Sequence, residues 1–146
     1  MIKDTVNRLV KKYGTRDPVR LASELNVILL YVPLKGVNGF YQYYKRNHII
    51  YINQDLDEVT QRITLAHELG HMFLHKKTNA IYLNTKTHLL TAKYEIEADI
   101  FASELLIEDD SVINNLHLTI DQLASYLEVE PKHVKYKLEN IGGLKC

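Results

Sequence analysis

The sequence predicts an α+β fold in which a small antiparallel sheet packs against a helical core. Between Val27 and Asn53, three short runs are rich in β-branched and aromatic residues, as strands are. On either side of this region, apolar residues recur three or four positions apart, as they do on one face of a helix. The 146 residues are enough for one hydrophobic core, so we expect a single domain spanning residues 1–146.

The N-terminal part is predicted to contain two helices followed by three strands. Apolar residues at helical spacing run from Ile2 to Tyr13, and Gly14 ends that helix. Asp17 as N-cap and Pro18 in the first turn begin a second helix. The strands are expected at residues 27–32, 40–44 and 48–53, with a turn at 45–47.

The remainder of the chain is predicted to be mainly helical. Asp55 and Glu58 resemble a capping box, with Asp55 at the cap of the next helix. From His75 to about Leu89 the chain is polar, which predicts a loop and flap. A long helix is expected from about Thr91 to Ile107. Shorter helices follow, beginning at Asp109, spanning Thr119–Leu127 and spanning Pro131 to about Asn140, so residues 109–141 form a C-terminal subdomain.

Composition argues against three classes of protein: non-specific nucleic-acid binders, membrane-spanning proteins and disulfide-stabilised secreted proteins. Eighteen basic residues balance eighteen acidic ones, which argues against non-specific nucleic-acid binding. No run of about 18 apolar residues predicts a membrane span, and the N-terminus lacks the apolar core of a signal peptide. A lone cysteine, Cys146, supports no disulfide framework. We therefore expect a cytoplasmic protein.

The most informative segment is Thr64–His71, which contains a His-Glu-x-x-His motif within a predicted helix. Positions i and i+4 share a helix face, so His67 and His71 can hold one Zn²⁺ through their ring nitrogens. Glu68 then lies beside the metal, where it can take a proton from a bound water. Gly70 in mid-helix costs about 0.5–1 kcal/mol relative to alanine, which is explained if another backbone or a substrate approaches closely. We interpret the segment as a zinc-hydrolase motif with Glu68 as general base.

A third protein ligand is expected from the long helix, because catalytic zinc takes three protein ligands and one water. Glu95 and Asp99 are one turn apart on one face of that helix. If Glu95 binds the metal, Asp99 can accept the free N–H of either ligating histidine and so orient its ring. Glu97 points about 160–200° away from Glu95 around the helix. We therefore favour Glu95 as the ligand, and we expect Glu97 and Glu104 to be solvated surface charges.

Other polar residues near the motif have weaker claims to a role. His75 lies one turn after His71, where it is a candidate ligand or proton donor, although a histidine there more often caps the helix C-terminus. A tyrosine between Tyr41 and Tyr51 could stabilise an oxyanion, but packing on the sheet is the simpler interpretation. The remaining histidines have no partner at ligand spacing and are expected at the surface: His48, His88, His117 and His133.

With these residues identified, the chain resembles the ImmA/IrrE family of zinc metallopeptidases. The resemblance rests on Ile63–His71 followed by Leu74-His75, and on the block Glu95-x-x-Ala98-Asp99-x-Phe101-Ala102-x-Glu104-Leu105-Leu106. The strand that ends at Asn53 and the C-terminal helix pair are also typical of that family. The resemblance implies a zincin-like fold with a gluzincin-like site, in which one zinc ion is bound by His67, His71 and Glu95 and Glu68 is the general base.

The resemblance also implies a substrate. Short members of the family look like proteases of mobile elements and prophages, which relieve immunity by cutting a helix-turn-helix repressor. Longer relatives add a C-terminal sensor domain, which we do not expect here because the chain stops after the helix pair. The implied function is therefore a site-specific endopeptidase whose partner is such a repressor.

Two other functions stay open. A non-catalytic regulator could bind a repressor or DNA through the C-terminal helices, which have helix-turn-helix proportions and carry Lys132, Lys135 and Lys137. That segment has no arginine, which argues against the reading of base edges. A different zinc hydrolase, such as a deformylase or an amidase, is opposed by the carboxylate ligand and by the second block of the resemblance.

Overall fold

The computed structural model describes residues 1–75 and 88–141, and it confirms an α+β architecture. The loop and flap expected after His75, and the terminal Cys146, fall outside the described residues. The helices of the described part are α1 (Ile2–Tyr13), α2 (Pro18–Glu24), α3 (Glu58–Leu74), α4 (His88–Leu106), α5 (Asp109–Ile113), α6 (Ile120–Leu127) and α7 (Pro131–Asn140). Its strands are β1 (Ile28–Val32), β2 (Gly39–Tyr44) and β3 (Asn47–Asn53). None of these helices is long and apolar enough to cross a membrane.

Local sequence signals set the ends of the first two helices. Gly14 ends α1 in the left-handed conformation (φ 67°), and its N–H donates to the Val10 carbonyl at 2.8 Å. Glycine adopts that conformation without the strain that a Cβ would cause. Asp17 caps α2 by accepting a hydrogen bond from Val19 N–H, and Pro18 occupies the first turn. Both predicted boundaries are confirmed.

The start of α3 differs from the prediction. Asp57, rather than Asp55, is the N-cap, and its carboxylate accepts a hydrogen bond from Thr60 N–H at 2.7 Å. Asp55 still belongs to the turn that leaves β3, since its N–H donates to Asn53 Oδ1 at 3.1 Å. Aspartate is favoured both at helix caps and in turns. The spacing of the two aspartates therefore did not decide which of them begins the helix.

The sheet is mixed, not antiparallel as predicted, and its strand order is β1-β3-β2. β2 and β3 form an antiparallel hairpin, and its turn residues Lys45 and Arg46 have positive φ angles of 48° and 66°, as tight hairpin turns require. β1 instead pairs parallel to β3, with Leu29 opposite Ile50. Ile50 and Ile52 are fully buried in the central strand. An apolar run predicts a buried strand but not the direction of its neighbours, which is why the prediction was wrong.

One face of the sheet packs against helices to form the main core. α2 contacts β1, α3 contacts β2 and β3, and α1 packs against α4. The largest buried members of this core are Leu21, Ile50, Ile52, Leu65, Leu69, Phe101 and Leu105. The core fixes α3 against α4, and these two helices carry the residues of the predicted site.

The C-terminal helices share a second, smaller core that is joined to the first. Its buried residues are Ile107, Val112, Leu123, Ala124, Val129, Val134 and Ile141. Leu106 packs against both cores, and α7 packs against α4. This packing places the beginning of α7 beside the helices of the predicted site.

Two charged residues are buried where α7 meets α4. Glu104 and Lys137 are each 2% exposed, and Lys137 Nζ lies 2.7 Å from Glu104 Oε1. The prediction that Glu104 is a solvated charge is therefore wrong, and Lys137 does not add to a basic surface. A charge can be buried when an opposite charge pairs with it. Here that partner is 33 residues away in sequence, so the periodicity of one helix did not reveal it.

Gly70 lies where α3 and α4 come close together. A Cβ added to Gly70 would lie 3.0 Å from the Cβ of Phe101 and 3.1 Å from both the Cα and the carbonyl oxygen of Ala98. These atoms belong to a packed helix, so they cannot move aside as the end of a flexible side chain could. The close approach of another backbone, one of the two reasons expected for a glycine at this position, is confirmed.

We expect Gly70→Val to lower the free energy of unfolding by about 1–3 kcal/mol, because the added methyl groups must separate α3 from α4. Urea denaturation followed by circular dichroism measures the change. Ala92→Val, at an exposed position of α4, is the matched control and should cost about 0.5 kcal/mol through helix propensity. A Gly70→Val protein no less stable than that control would contradict the tight packing of these two helices.

Candidate metal centre

A cleft of about 430 Å³ opens beside α3. Its walls come from the loop before β2, from α3 and α4, and from the beginning of α7. The predicted site residues that line it are His67, Glu68, Glu95 and Asp99. His71 is 6% exposed and lies one turn further along α3.

The three predicted ligands meet at the wall of this cleft, which His67 and Glu95 line. The rings of His67 and His71 lie edge to face, with centroids 4.8 Å apart. Glu95 spans them, because its Oε2 is 2.9 Å from His67 Nε2 and its Oε1 is 2.9 Å from His71 Nε2. One ligand atom from each of the three residues lies within 4.8 Å of the other two. Two imidazoles and a carboxylate at these separations could hold one metal ion.

The charges of these groups are coupled. Hydrogen bonds from His67 and His71 hold the pKa of Glu95 well below its usual range, although the carboxylate is partly buried. Burial disfavours a charge on His67, but hydrogen bonds to Asp99 and Glu95 outweigh burial and raise the pKa of His67 to about 10. Glu95 is therefore ionised at neutral pH. A metal ion that binds His67 must displace a proton from the ring.

Asp99 orients His67 from the side of the ring away from Glu95. Its Oδ1 lies 2.8 Å from His67 Nδ1, and its Oδ2 lies 3.2 Å from the Nζ of Lys132 at the start of α7. Burial by itself would raise the pKa of Asp99, but the hydrogen bond with His67 and the charge of Lys132 lower it. The ionised carboxylate accepts the Nδ1–H of His67, which leaves Nε2 as the nitrogen that faces Glu95.

Glu68 lies beside the cluster and is 7% exposed. Burial raises the pKa of Glu68 above its ordinary value, and the nearby histidines oppose this effect. A carboxylate with a raised pKa accepts a proton more readily, which suits a general base. Since Glu68 also lines the cleft, it is placed to exchange a proton with a molecule bound there.

His71 is contacted on its other ring nitrogen by His75. The two Nδ1 atoms lie 3.0 Å apart, and His75 Nε2 lies 2.9 Å from Glu97 Oε1. Glu97 is partly exposed, with 32% of its side chain accessible, but it is paired with His75 rather than being the solvated charge that was predicted. His75 follows the last helical residue of α3, and its backbone is no longer helical (φ −131°, ψ 30°). Its side chain therefore contacts Glu97, which lies on a different face of α4 from Glu95.

His133 lines the cleft, although the sequence predicted it at the surface. It is fully buried, and its Nδ1 accepts a hydrogen bond from the N–H of Glu130, the N-cap of α7. The neighbouring Lys132 was counted as part of a basic helix surface, yet it contacts Asp99. A usable signal was present in the sequence: His133 is the third residue of a helix that begins at Pro131, where it can cap the helix.

The remaining histidines and tyrosines lie away from the cleft or have side chains outside the described residues. Tyr41 and Tyr51 do not line the cleft: Tyr41 is hydrogen bonded to His48 Nδ1 at 2.7 Å, and Tyr51 stacks on Phe40 at 4.3 Å. Burial raises the pKa of Tyr41 to about 12. His48 is half-buried, contrary to prediction, whereas His117 is exposed as predicted. The side chain of His88 falls outside the described residues. Packing on the sheet describes Tyr41 and Tyr51 better than a role at an oxyanion.

Residues 22–139 match the IrrE N-terminal-like domain of peptidase family M78. The matched region contains β1 to β3, α3 and α4, and almost all of α7. It therefore includes every residue of the cluster and of the cleft described above.

Two relatives come from a Bacillus phage and from Bacillus subtilis. The first is "Uncharacterized immunity region protein 2" of Bacillus phage phi105, which is 40% identical over 127 residues, covering 85% of this chain and 80% of that protein. The second is "Metallopeptidase ImmA" of Bacillus subtilis (strain 168), which is 33% identical over an alignment of 148 residues, covering 97% of this chain and 86% of that protein.

Proposed function

The chain belongs to the IrrE N-terminal-like domain family of M78 peptidases, and from this membership we propose that it is a zinc-dependent, site-specific endopeptidase that cleaves a helix-turn-helix repressor in the cytoplasm. The observation that carries the proposal is the convergence of His67, His71 and Glu95 on one point, beside the buried Glu68. Peptide hydrolysis at a metal needs this combination of a three-ligand site and an adjacent base.

The residues present fit a zinc ion. Two imidazole nitrogens and one carboxylate are a donor set that catalytic zinc takes in peptidases. Asp99 and His75 contact the Nδ1 atoms of His67 and His71, so both Nε2 atoms are directed towards Glu95. When bound, zinc would polarise the scissile carbonyl and lower the pKa of a water towards about 7.

Glu68 performs the proton transfers in the proposed reaction. Its carboxylate takes a proton from the attacking water and then delivers it to the nitrogen of the leaving amine. Burial, which raises its pKa, makes it a better acceptor in the first step. Both transfers use one side chain, so the position of Glu68 beside the cleft matters as much as its charge.

The substrate is proposed to bind as an extended segment. Among the described strands, β2 lies at an edge of the sheet, and its first residue, Gly39, lines the cleft. A segment that added to β2 as a further strand would run into the cleft beside Glu68. Main-chain pairing of this kind accepts many side chains, so selectivity for one protein would come from docking of the folded partner.

The repressor is proposed as substrate because of the relatives. One is named for a phage immunity region and another as the metallopeptidase ImmA. A regulator that only binds repressor or DNA through its C-terminal helices has less support from the contacts. Of the three lysines counted towards a basic surface, Lys137 is buried against Glu104 and Lys132 is paired with Asp99.

The proposal is tested with purified protein and the helix-turn-helix repressor encoded beside its gene. We expect the zinc-loaded protein to produce one discrete repressor fragment, whose mass gives the cut site. Treatment with a chelator should abolish the fragment, and added zinc should restore it. An intact repressor that is nevertheless released from its operator would favour the binding regulator. An intact, operator-bound repressor in the presence of zinc would count against this substrate.

A further inference from the structure

We propose that His75 and Glu97 form a positioning pair for the metal ligand His71, in which His75 sets the tautomer and ring orientation of His71 and Glu97 sets those of His75. The inference rests on the proposed metal site. It assigns a role to two residues outside the motif, one expected to be a ligand, proton donor or helix cap and the other expected at the surface. His75 is neither a ligand nor a catalytic residue in this assignment.

The direction of each hydrogen bond follows from metal binding. If Nε2 of His71 binds a metal, that nitrogen carries no proton, so the proton of the neutral ring is on Nδ1. The Nδ1–H of His71 then donates to Nδ1 of His75 across the 3.0 Å that separates them. His75 in turn carries its proton on Nε2, which donates to Glu97 Oε1 at 2.9 Å. The three residues therefore form a series of two hydrogen bonds in which each N–H donor has an acceptor.

Burial of the two rings favours one tautomer of His71. His71 and His75 are 6% and 7% exposed, so water has little access to the bond between their rings. The ring of His75 also packs against Tyr94, with centroids 4.1 Å apart, which restricts its rotation. With His75 held by Tyr94 and Glu97, the alternative tautomer of His71 would bring two unprotonated nitrogens face to face, with no proton between them. The geometry thus favours the tautomer that leaves Nε2 of His71 for the metal.

The two ligating histidines are positioned in different ways. His67 donates directly to a carboxylate, Asp99, at 2.8 Å. The Nδ1 of His71 instead reaches a carboxylate, that of Glu97, through the interposed ring of His75. Outer contacts to a ligating histidine typically change metal affinity by 10–100-fold. If Glu97 acts only through His75, removal of Glu97 should weaken metal binding less than removal of His75 does. Removal of both should weaken metal binding no more than removal of His75 alone.

The test measures zinc affinity directly, by competition with a chelating indicator. His75→Phe should weaken zinc binding by about 10–100-fold. His75→Gln should recover most of this loss, because an amide can accept from His71 and donate to Glu97. Glu97→Ala should cause a smaller loss, and the double variant His75→Phe/Glu97→Ala should bind zinc as His75→Phe does, within about twofold.

Two further readouts separate positioning from a structural role. The visible absorption of bound Co²⁺ should change in His75→Phe, because the geometry of the ligands changes. The melting temperature of the zinc-free protein should not change more in His75→Phe than in the control His48→Phe, which also removes a histidine hydrogen bond, the one to Tyr41. His48→Phe should bind zinc like the wild type.

The outcomes distinguish this inference from the proposed function. Wild-type protein that binds no zinc would overturn the metal site and the positioning pair together. Tight zinc binding by wild type and an equal affinity in His75→Phe would overturn the positioning pair alone. So would losses in His75→Phe and Glu97→Ala that multiply in the double variant, since independent effects would mean that Glu97 does not act through His75.

Discussion

Replacing Glu68 with glutamine should abolish most of the peptidase activity while leaving the metal in place. General-base catalysis contributes about 10²–10⁴-fold to rate, so we expect kcat/KM for repressor cleavage to fall by that factor, equivalent to roughly 3–5 kcal/mol of transition-state stabilisation. Glutamine has nearly the same shape, so the buried position can accept it. Cleavage is measured by mass spectrometry and zinc content by atomic absorption.

The same variant separates an enzyme from a binding regulator. Co-expressed with the repressor, Glu68→Gln should leave the repressor intact and functional, whereas wild type should yield a fragment and derepression. Glu58→Gln, at an exposed position in the first turn of α3, controls for the loss of one charge on this helix and should cleave normally. Derepression by Glu68→Gln without a fragment would replace the peptidase proposal with binding.

The largest effect on stability is expected from Lys137→Met. This change leaves the carboxylate of Glu104, 2% exposed, without its partner in a buried interface. Breaking a buried pair by removal of one partner typically costs 3–5 kcal/mol, so we expect a loss of about that size in the free energy of unfolding. Lys137 also contacts Asp109, but Asp109 keeps Lys3 at 3.0 Å. The loss should therefore arise mainly from Glu104.

A second substitution tests that explanation. In the double variant Glu104→Leu/Lys137→Met both charges are gone, and stability should return to within about 1 kcal/mol of wild type or exceed it. Lys135→Met, on the exposed side of α7, is the matched control and should change stability by about 0.5 kcal/mol or less. Denaturant unfolding of wild type and these three variants measures the differences in stability. A Lys137→Met protein as stable as the Lys135→Met control would show that the pair is dispensable.

The interface between α4 and α7 links the fold to the cleft. Lys137 anchors α7 on Glu104, and one turn earlier the same helix carries His133, which lines the cleft, next to Lys132, which contacts Asp99. Weakening the interface should therefore disturb the site as well as stability. The C-terminal helices thus have a structural role at the candidate metal centre.

Much of the local structure could be predicted because its causes are local. Gly14 and Asp17 act on atoms within a few residues of themselves, and the sequence therefore predicted the end of the first helix and the start of the second. Likewise, the i, i+4 spacing places His67 and His71 on one face of α3 by helical geometry alone. The prediction of Asp55 as the cap was wrong because Asp57, two residues later, is equally suited to that position and is the N-cap of α3.

Other features depend on partners that are distant in sequence, and these became evident only in the folded protein. Nothing near Glu97 or Glu104 distinguishes these residues from surface charges. Glu97 meets His75 across 22 residues, and Glu104 meets Lys137 across 33. The parallel pairing of β1 is of the same kind, because an apolar run predicts burial without predicting direction.

The sequence alone predicts the reactive groups of the site: a helix that presents two imidazoles and a carboxylate, and a second helix with acids one turn apart. The folded structure shows which acid contacts which histidine, that His75 contacts both His71 and Glu97, and that Lys137 of α7 is buried against Glu104. The two kinds of feature differ in how far apart along the sequence the interacting residues lie. Periodicity and caps arise from neighbours along the chain, whereas burial and pairing arise from surfaces that meet only when the chain has folded.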